Sequence, residues 1–95
     1  MLRGTLDNHW KAIGVALERG DNVHPTQVYR ASEMRMGVIS AQMRVAMQPL
    51  MPDAQDYQES KQFLNEVEGQ LPTLMAMPLS QAVQIPEPTT AGKKR

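Results

Sequence analysis

Residues 25–50 read PTQVYRASEMRMGVISAQMRVAMQPL, and two separate apolar series run through them. The first is Tyr29, Ser32, Met36, Ile39, Met43, Ala46 and Leu50, an unbroken alternation of three and four residues of the kind that lines a coiled-coil seam. The second is Met34, Val38, Ala41 and Val45, which at about 100° per residue falls on the opposite side of the same cylinder. Arg30, Glu33, Ser40 and Arg44 fill one flank between the series; Arg35 and Gln42 fill the other. Pro25 suits a first helical turn and Pro49 ends a helix, so the pattern predicts one helix over about 26–48.

A helix with two opposed apolar faces cannot cover both against one neighbour, so it needs a layer on each side. Those layers come either from the rest of the chain or from another molecule. Small residues (Ala31, Ser32, Gly37, Ser40, Ala41, Ala46) permit close approach, although Gly37 costs roughly 1 kcal/mol of intrinsic helix preference.

On the N-terminal side, Leu6, Trp10, Ile13 and Leu17 form one stripe of a helix over about 6–19, with Thr5 as N-cap and Asp7 in the first turn. Gly20 supplies a left-handed C-terminal residue, followed by an Asp21-Asn22 turn. On the C-terminal side, Asp53 caps a helix over about 53–70 in which Tyr57, Ser60, Leu64, Val67 and Leu71 keep the same rhythm and Phe63 widens the stripe. The short link Pro49-Leu50-Met51-Pro52 favours antiparallel neighbours. The hairpin then sets Arg30, Arg35 and Arg44 against Asp53, Asp56, Glu59, Glu66 and Glu68, which should attract one another.

Beyond Gly69 the apolar pattern is cut by Pro72 and Pro78, leaving room for single turns at 73–77 and 80–84. Ile85-Pro86-Glu87-Pro88 reads as extended, and Lys93-Lys94-Arg95 closes the sequence with a basic triplet. Leu74, Met75, Met77, Leu79, Val83 and Ile85 are too apolar for a solvated linker; they either fold back over the bundle or dock on a partner. The expected fold is therefore all-α: a small three-helix bundle, or a helical hairpin plus N-terminal helix, over 1–71. An extended Pro-rich C-terminal tail occupies 72–95.

Composition narrows the chemistry. With 95 residues the chain holds one domain at most and buries a modest share of its surface. Aromatics are 4% of residues while methionine has 8 copies, and Met suits adaptable helix contacts better than a uniquely packed core. The count of 0 cysteines excludes disulfides, thiolate metal sites and cysteine nucleophiles. No window approaches the ~18 apolar residues of a membrane span, and Met1-Leu2-Arg3-Gly4 is not followed by the apolar core of a secretory signal. The expected location is cytoplasmic or within a macromolecular assembly.

No catalytic, cofactor-binding or metal-ligating residue emerges. His9 and His24 lack an i,i+4 histidine companion, and His24 before Pro25 reads as a helix-boundary residue. Nucleotide-cradle, nucleophile-elbow and HExxH signatures are missing. The carboxylates of 53–68 lie opposite Leu64 and Val67 on a solvated face, where nothing raises a pKa for acid–base work. A formal net charge of 0 and an acidic third helix disfavour nucleic acid as a partner.

The Met34-Arg35-Met36-Gly37 run within a Met-rich helix resembles helices of small rod and needle subunits of bacterial secretion and flagellar machines. The resemblance covers that helix alone and implies no residue roles. The expected function is a non-enzymatic structural or assembly subunit that packs Met-rich helices and a C-terminal docking segment into a larger complex, such as a virion or secretion machine. Its contacts would come from Tyr29, Met34, Met36, Val38, Ile39, Met43 and Val45, together with Leu74, Met77 and Leu79, acting on a protein partner or on further copies of the chain. An adaptor, chaperone or inhibitor that captures one partner is the alternative, and a small DNA-binding regulator ranks below both.

Overall fold

The computed structural model describes residues 2–50 and 54–88. Among them the chain is all-helical: α1 (Leu2–Glu18), α2 (Pro25–Ala46) and α3 (Ala54–Ala76), with a 3-10 turn at Gln48–Leu50. α2 is the middle element and packs against both α1 and α3. Its Ala31, Met34, Val38 and Ala41 are buried, so the second apolar series is the one that builds the core. Leu6 of α1 and Val67, Leu71 and Leu74 of α3 converge on Met34 and Val38.

α1 begins at Leu2, a turn before the expected start at Thr5–Leu6. Leu2 packs against the core, and that contact outweighs the capping preference of Thr5. The buried stripe is Leu6, His9, Ile13 and Ala16, so the helix is rotated from the expected Leu6, Trp10, Ile13, Leu17 face. Leu17 is exposed, and Trp10 sits at the edge with the Arg35 guanidinium 6.0 Å from its ring centre. The helix ends as Gly20 implied: φ is +79°, Gly20 N–H donates to Leu17 O at 3.0 Å and Asp21 N–H to Ala16 O at 2.9 Å. Together these bonds are a Schellman stop, open to glycine because a Cβ disfavours that φ.

His24 caps α2 through Nδ1, which accepts the Thr26 N–H at 3.1 Å, and Pro25 follows at the first helical position. A ring nitrogen that accepts carries no proton, so this bond places the His24 proton on Nε2. α2 stops at Ala46, short of the expected 48. Pro49 disfavours helical backbone at Gln48, and the chain tightens until Leu50 N–H reaches Met47 O at 2.8 Å.

α3 corrects the expected end at 70, because it runs through Pro72 to Ala76. An interior proline costs about 3 kcal/mol, but Leu71 and Leu74 on either side of it are buried in the core. Burying each leucine contributes roughly 1.5–3 kcal/mol, enough to offset the loss. The turn expected at 73–77 is thus the last turn of α3, and the boundary expected after 71 falls inside a helix. The turn expected at 80–84 is not helical.

Residues 77–88 fold back as a strap along the first turns of α2, with Met77, Val83 and Ile85 packed against the core. The α2 entry holds the strap backbone. His24 N–H donates to Leu79 O at 2.8 Å, and Val83 N–H to Thr26 Oγ1 at 2.8 Å. Gln27 Nε2 donates to Gln81 O at 2.9 Å and Pro78 O at 3.2 Å. Arg30 Nη1 donates to Ile85 O at 2.8 Å. The remainder of the expected tail, with the Lys93-Lys94-Arg95 triplet, lies outside the described residues, as does Asp53, the expected cap of α3.

The expected attraction of a basic α2 for an acidic α3 is only partly realised. Arg44 meets Asp56 at 3.7 Å, whereas Arg35 turns to Asp7 of α1 at 2.7 Å and Arg30 to the strap. A half-exposed bridge such as Arg44–Asp56 is worth about 0–1 kcal/mol, so apolar packing holds this hairpin together.

Candidate functional site

With α1 on one flank of α2, α3 on the other and the core face inward, the coiled-coil-spaced series is left facing out. Tyr29 is 62% exposed, Met36 65% and Met43 57%, with Ser32 and Ile39 half-buried between them and Ala46 and Leu50 exposed beyond. The exposed large side chains Tyr29, Met36 and Met43 therefore share one side of α2. The straightness of this row follows from the three–four spacing, which keeps every member on one side of the cylinder.

Part of the expected contact set lies elsewhere. Met34 is 1% exposed and Val38 and Leu74 are 0%, so they belong to the chain's own core and are closed to a partner. Val45 is half-buried, Met77 packs against the core, and Leu79 is half-buried with its carbonyl already bonded to His24. Of the expected contacts on α2, Tyr29, Met36 and Met43 are exposed, and Ile39 and Val45 are half-buried.

Beside this row, Phe63 of α3 lies over Gly37, where an added Cβ would stand 2.5 Å from the ring's Cζ. Next to that contact opens a mainly apolar cleft of about 440 Å³, lined by Tyr29, Ser32, Met34, Met36, Gly37, Phe63 and Pro88 together with the acidic Glu33 and Glu87. Ser32 and the strap's Pro88 both contribute to its lining. Glu33 stands at its rim. A hydrogen bond from the Tyr29 hydroxyl to the Glu33 carboxylate, reinforced by that negative charge, raises the Tyr29 pKa above its ordinary value of 10.0.

His9 is buried on α1, its Nε2 has no hydrogen-bond partner, and burial pushes its pKa below the ordinary 6.5. His24 is occupied as a helix cap. Among the described residues there is no group of three or more His, Asp or Glu placed to hold a metal ion. Nor is any helix among them long and apolar enough to cross a membrane.

Sequence reasoning missed the row of strap-binding side chains, Thr26, Gln27 and Arg30. Gln27 carried a signal: Gln27, Ala31, Met34 and Val38 share one three–four series, which puts an amide on the core face. A buried amide needs partners, and the strap carbonyls supply them to Nε2, while Oε1 is buried without one. Comparison with protein families, with curated proteins and with solved structures yields no match.

Proposed function

We propose that this chain is a non-enzymatic assembly subunit whose α2 presents Tyr29, Met36, Ile39 and Met43 to an amphipathic helix of a protein partner. One observation carries the reading. α1, α3 and the strap all pack on α2, yet Tyr29, Met36 and Met43, which share a second three–four series, stay exposed. A knobs-into-holes partner restores the layer that this face lacks. Methionine on such a face adapts to its neighbour at little cost in strain.

The strap meets this surface only at its end, where Glu87 and Pro88 line the cleft; Met77, Val83, Ile85 and the Gln81 and Ile85 carbonyls are engaged within the chain. The test is Ile39→Glu, which places a charge in the middle of the exposed row and removes nothing from the buried core cluster. Affinity capture from the native source with the wild-type chain should recover a stoichiometric partner or a multi-copy complex. The variant should lose it while keeping its helical circular dichroism. Retention of the complex by the variant would end the reading.

A further inference from the structure

The exposed row also specifies what fits on it. Laid against itself in parallel, it would stack Tyr29 on Tyr29 and Ser32 on Ser32, a bulge next to a void. Laid antiparallel about an axis between Met36 and Ile39, it pairs Tyr29 with Ala46, Ser32 with Met43 and Met36 with Ile39, each layer then occurring twice through the two-fold. Every layer joins a large side chain to a smaller one or two of middle size. That alternation is what close packing of facing positions requires.

The surface relief agrees with this register. The hollow over Ser32, between Tyr29, Met36 and Phe63, lies where the second copy's Met43 would enter, and its volume of about 440 Å³ admits a methionine side chain. Charge agrees as well. On the flank next to α3, Glu33 stands toward the start of α2 and Arg44 toward its end, with side chains 39% and 50% exposed. Reversal of one helix puts the same flank of both copies together and brings Glu33 of each toward Arg44 of the other. Within the chain Arg44 meets Asp56 at 3.7 Å and Arg30 meets Glu33 at 4.0 Å, while the Glu33 carboxylate also accepts from the Tyr29 hydroxyl, so a bond to the second copy's Arg44 would add to that contact.

We propose that the occupant of the exposed α2 face is a second copy of this chain, docked antiparallel about a two-fold axis between Met36 and Ile39, with Met43 of each copy seated over Ser32 of the other. This deepens the docking reading above and rests on it.

The absence of cysteine makes the register directly testable in the full-length chain, since introduced thiols have no competitors. Tyr29→Cys and Ala46→Cys are made singly and together and equilibrated in a glutathione redox buffer. Within one helix the two positions lie roughly 25 Å apart at about 1.5 Å per residue, too far for an internal disulfide. The antiparallel dimer predicts a disulfide-linked dimer from the double variant and none from either single variant. Light scattering on the wild type should give twice the chain mass of 10.6 kDa. Ile39→Glu should raise the dimer dissociation constant at least a hundredfold with helicity unchanged.

Cross-linking of either single variant would show a parallel pair and overturn the proposal. So would a wild-type chain that stays monomeric at millimolar concentration. That monomer would remove the second copy as occupant without touching the docking reading, which falls only if Ile39→Glu keeps its native-source complex.

Discussion

Replacing Gly37 by alanine should destabilise the protein, although helix propensity predicts the opposite. Gly37 is inside α2, where alanine is favoured over glycine by about 1 kcal/mol. The Phe63 ring occupies the space a Cβ would need, with Cζ at 2.5 Å and Cε2 at 2.9 Å from the ideal Cβ position. Carbon atoms pack best at about 3.5–4.0 Å, so the ring must withdraw by roughly 1 Å. Such overpacking costs about 1–3 kcal/mol, which sets the net effect of Gly37→Ala near 1 kcal/mol of destabilisation. In a Phe63→Ala background the obstruction is gone, and the same substitution should stabilise by about 1 kcal/mol. The sign reversal amounts to a coupling of roughly 2 kcal/mol between positions 37 and 63, well above the usual error of additivity. Urea unfolding followed at 222 nm on the four proteins of this cycle measures it. Equal effects of Gly37→Ala in both backgrounds would refute the close approach of Phe63 to α2.

Three further outcomes follow from the same packing. Gln27→Ala removes the donor to the Pro78 and Gln81 carbonyls and leaves a gap in a fully buried site, so it should cost about 2–4 kcal/mol and speed proteolytic cleavage within 79–86. Pro72→Ala should stabilise by about 1–2 kcal/mol in thermal unfolding, because α3 already runs through this exposed position and regains an N–H donor; a loss of stability would show that the proline ring is needed where it stands. Acid should act in two steps in circular dichroism. The folded pKa of His9 is depressed by burial, so the stability tied to its neutral form is full above 6.5 and is lost as pH falls through the folded value. Asp7, held below 3.8 by the Arg35 hydrogen bond, adds stability that is full above 3.8 and is lost as pH falls through its own folded value; Asp7→Asn should abolish this lower step alone.

Much of the fold was legible because periodicity and punctuation are local. The two series of α2, the Gly20 stop and the Pro25 start depend on neighbours within a few residues, and the structure contains all of them. The end of α3 was not legible, since Pro72 is a strong local stop that was outweighed by the burial of Leu71 and Leu74 in a core built by all three helices. The face of α1 was misjudged for a similar reason. Trp10 is the largest apolar side chain of its stripe, yet close contact with α2 favoured small Ala16 inward and left the ring at the edge beside Arg35. Of the candidate contact residues, the sequence identified both apolar faces of α2 but could not say which one the chain would use for itself.

That division marks what each level decided. Spacing alone determined that α2 has an apolar face on each side, because a helix turns the same way in any environment. Only the tertiary structure decided that Met34, Val38 and Ala41 face inward while Tyr29, Met36 and Met43 face out. Which face is covered depends on where Leu6, Val67, Leu71 and Leu74 converge from distant parts of the chain, and on a strap that returns to bind Thr26, Gln27 and Arg30. Burial is a property of that whole arrangement, so no local pattern specifies it.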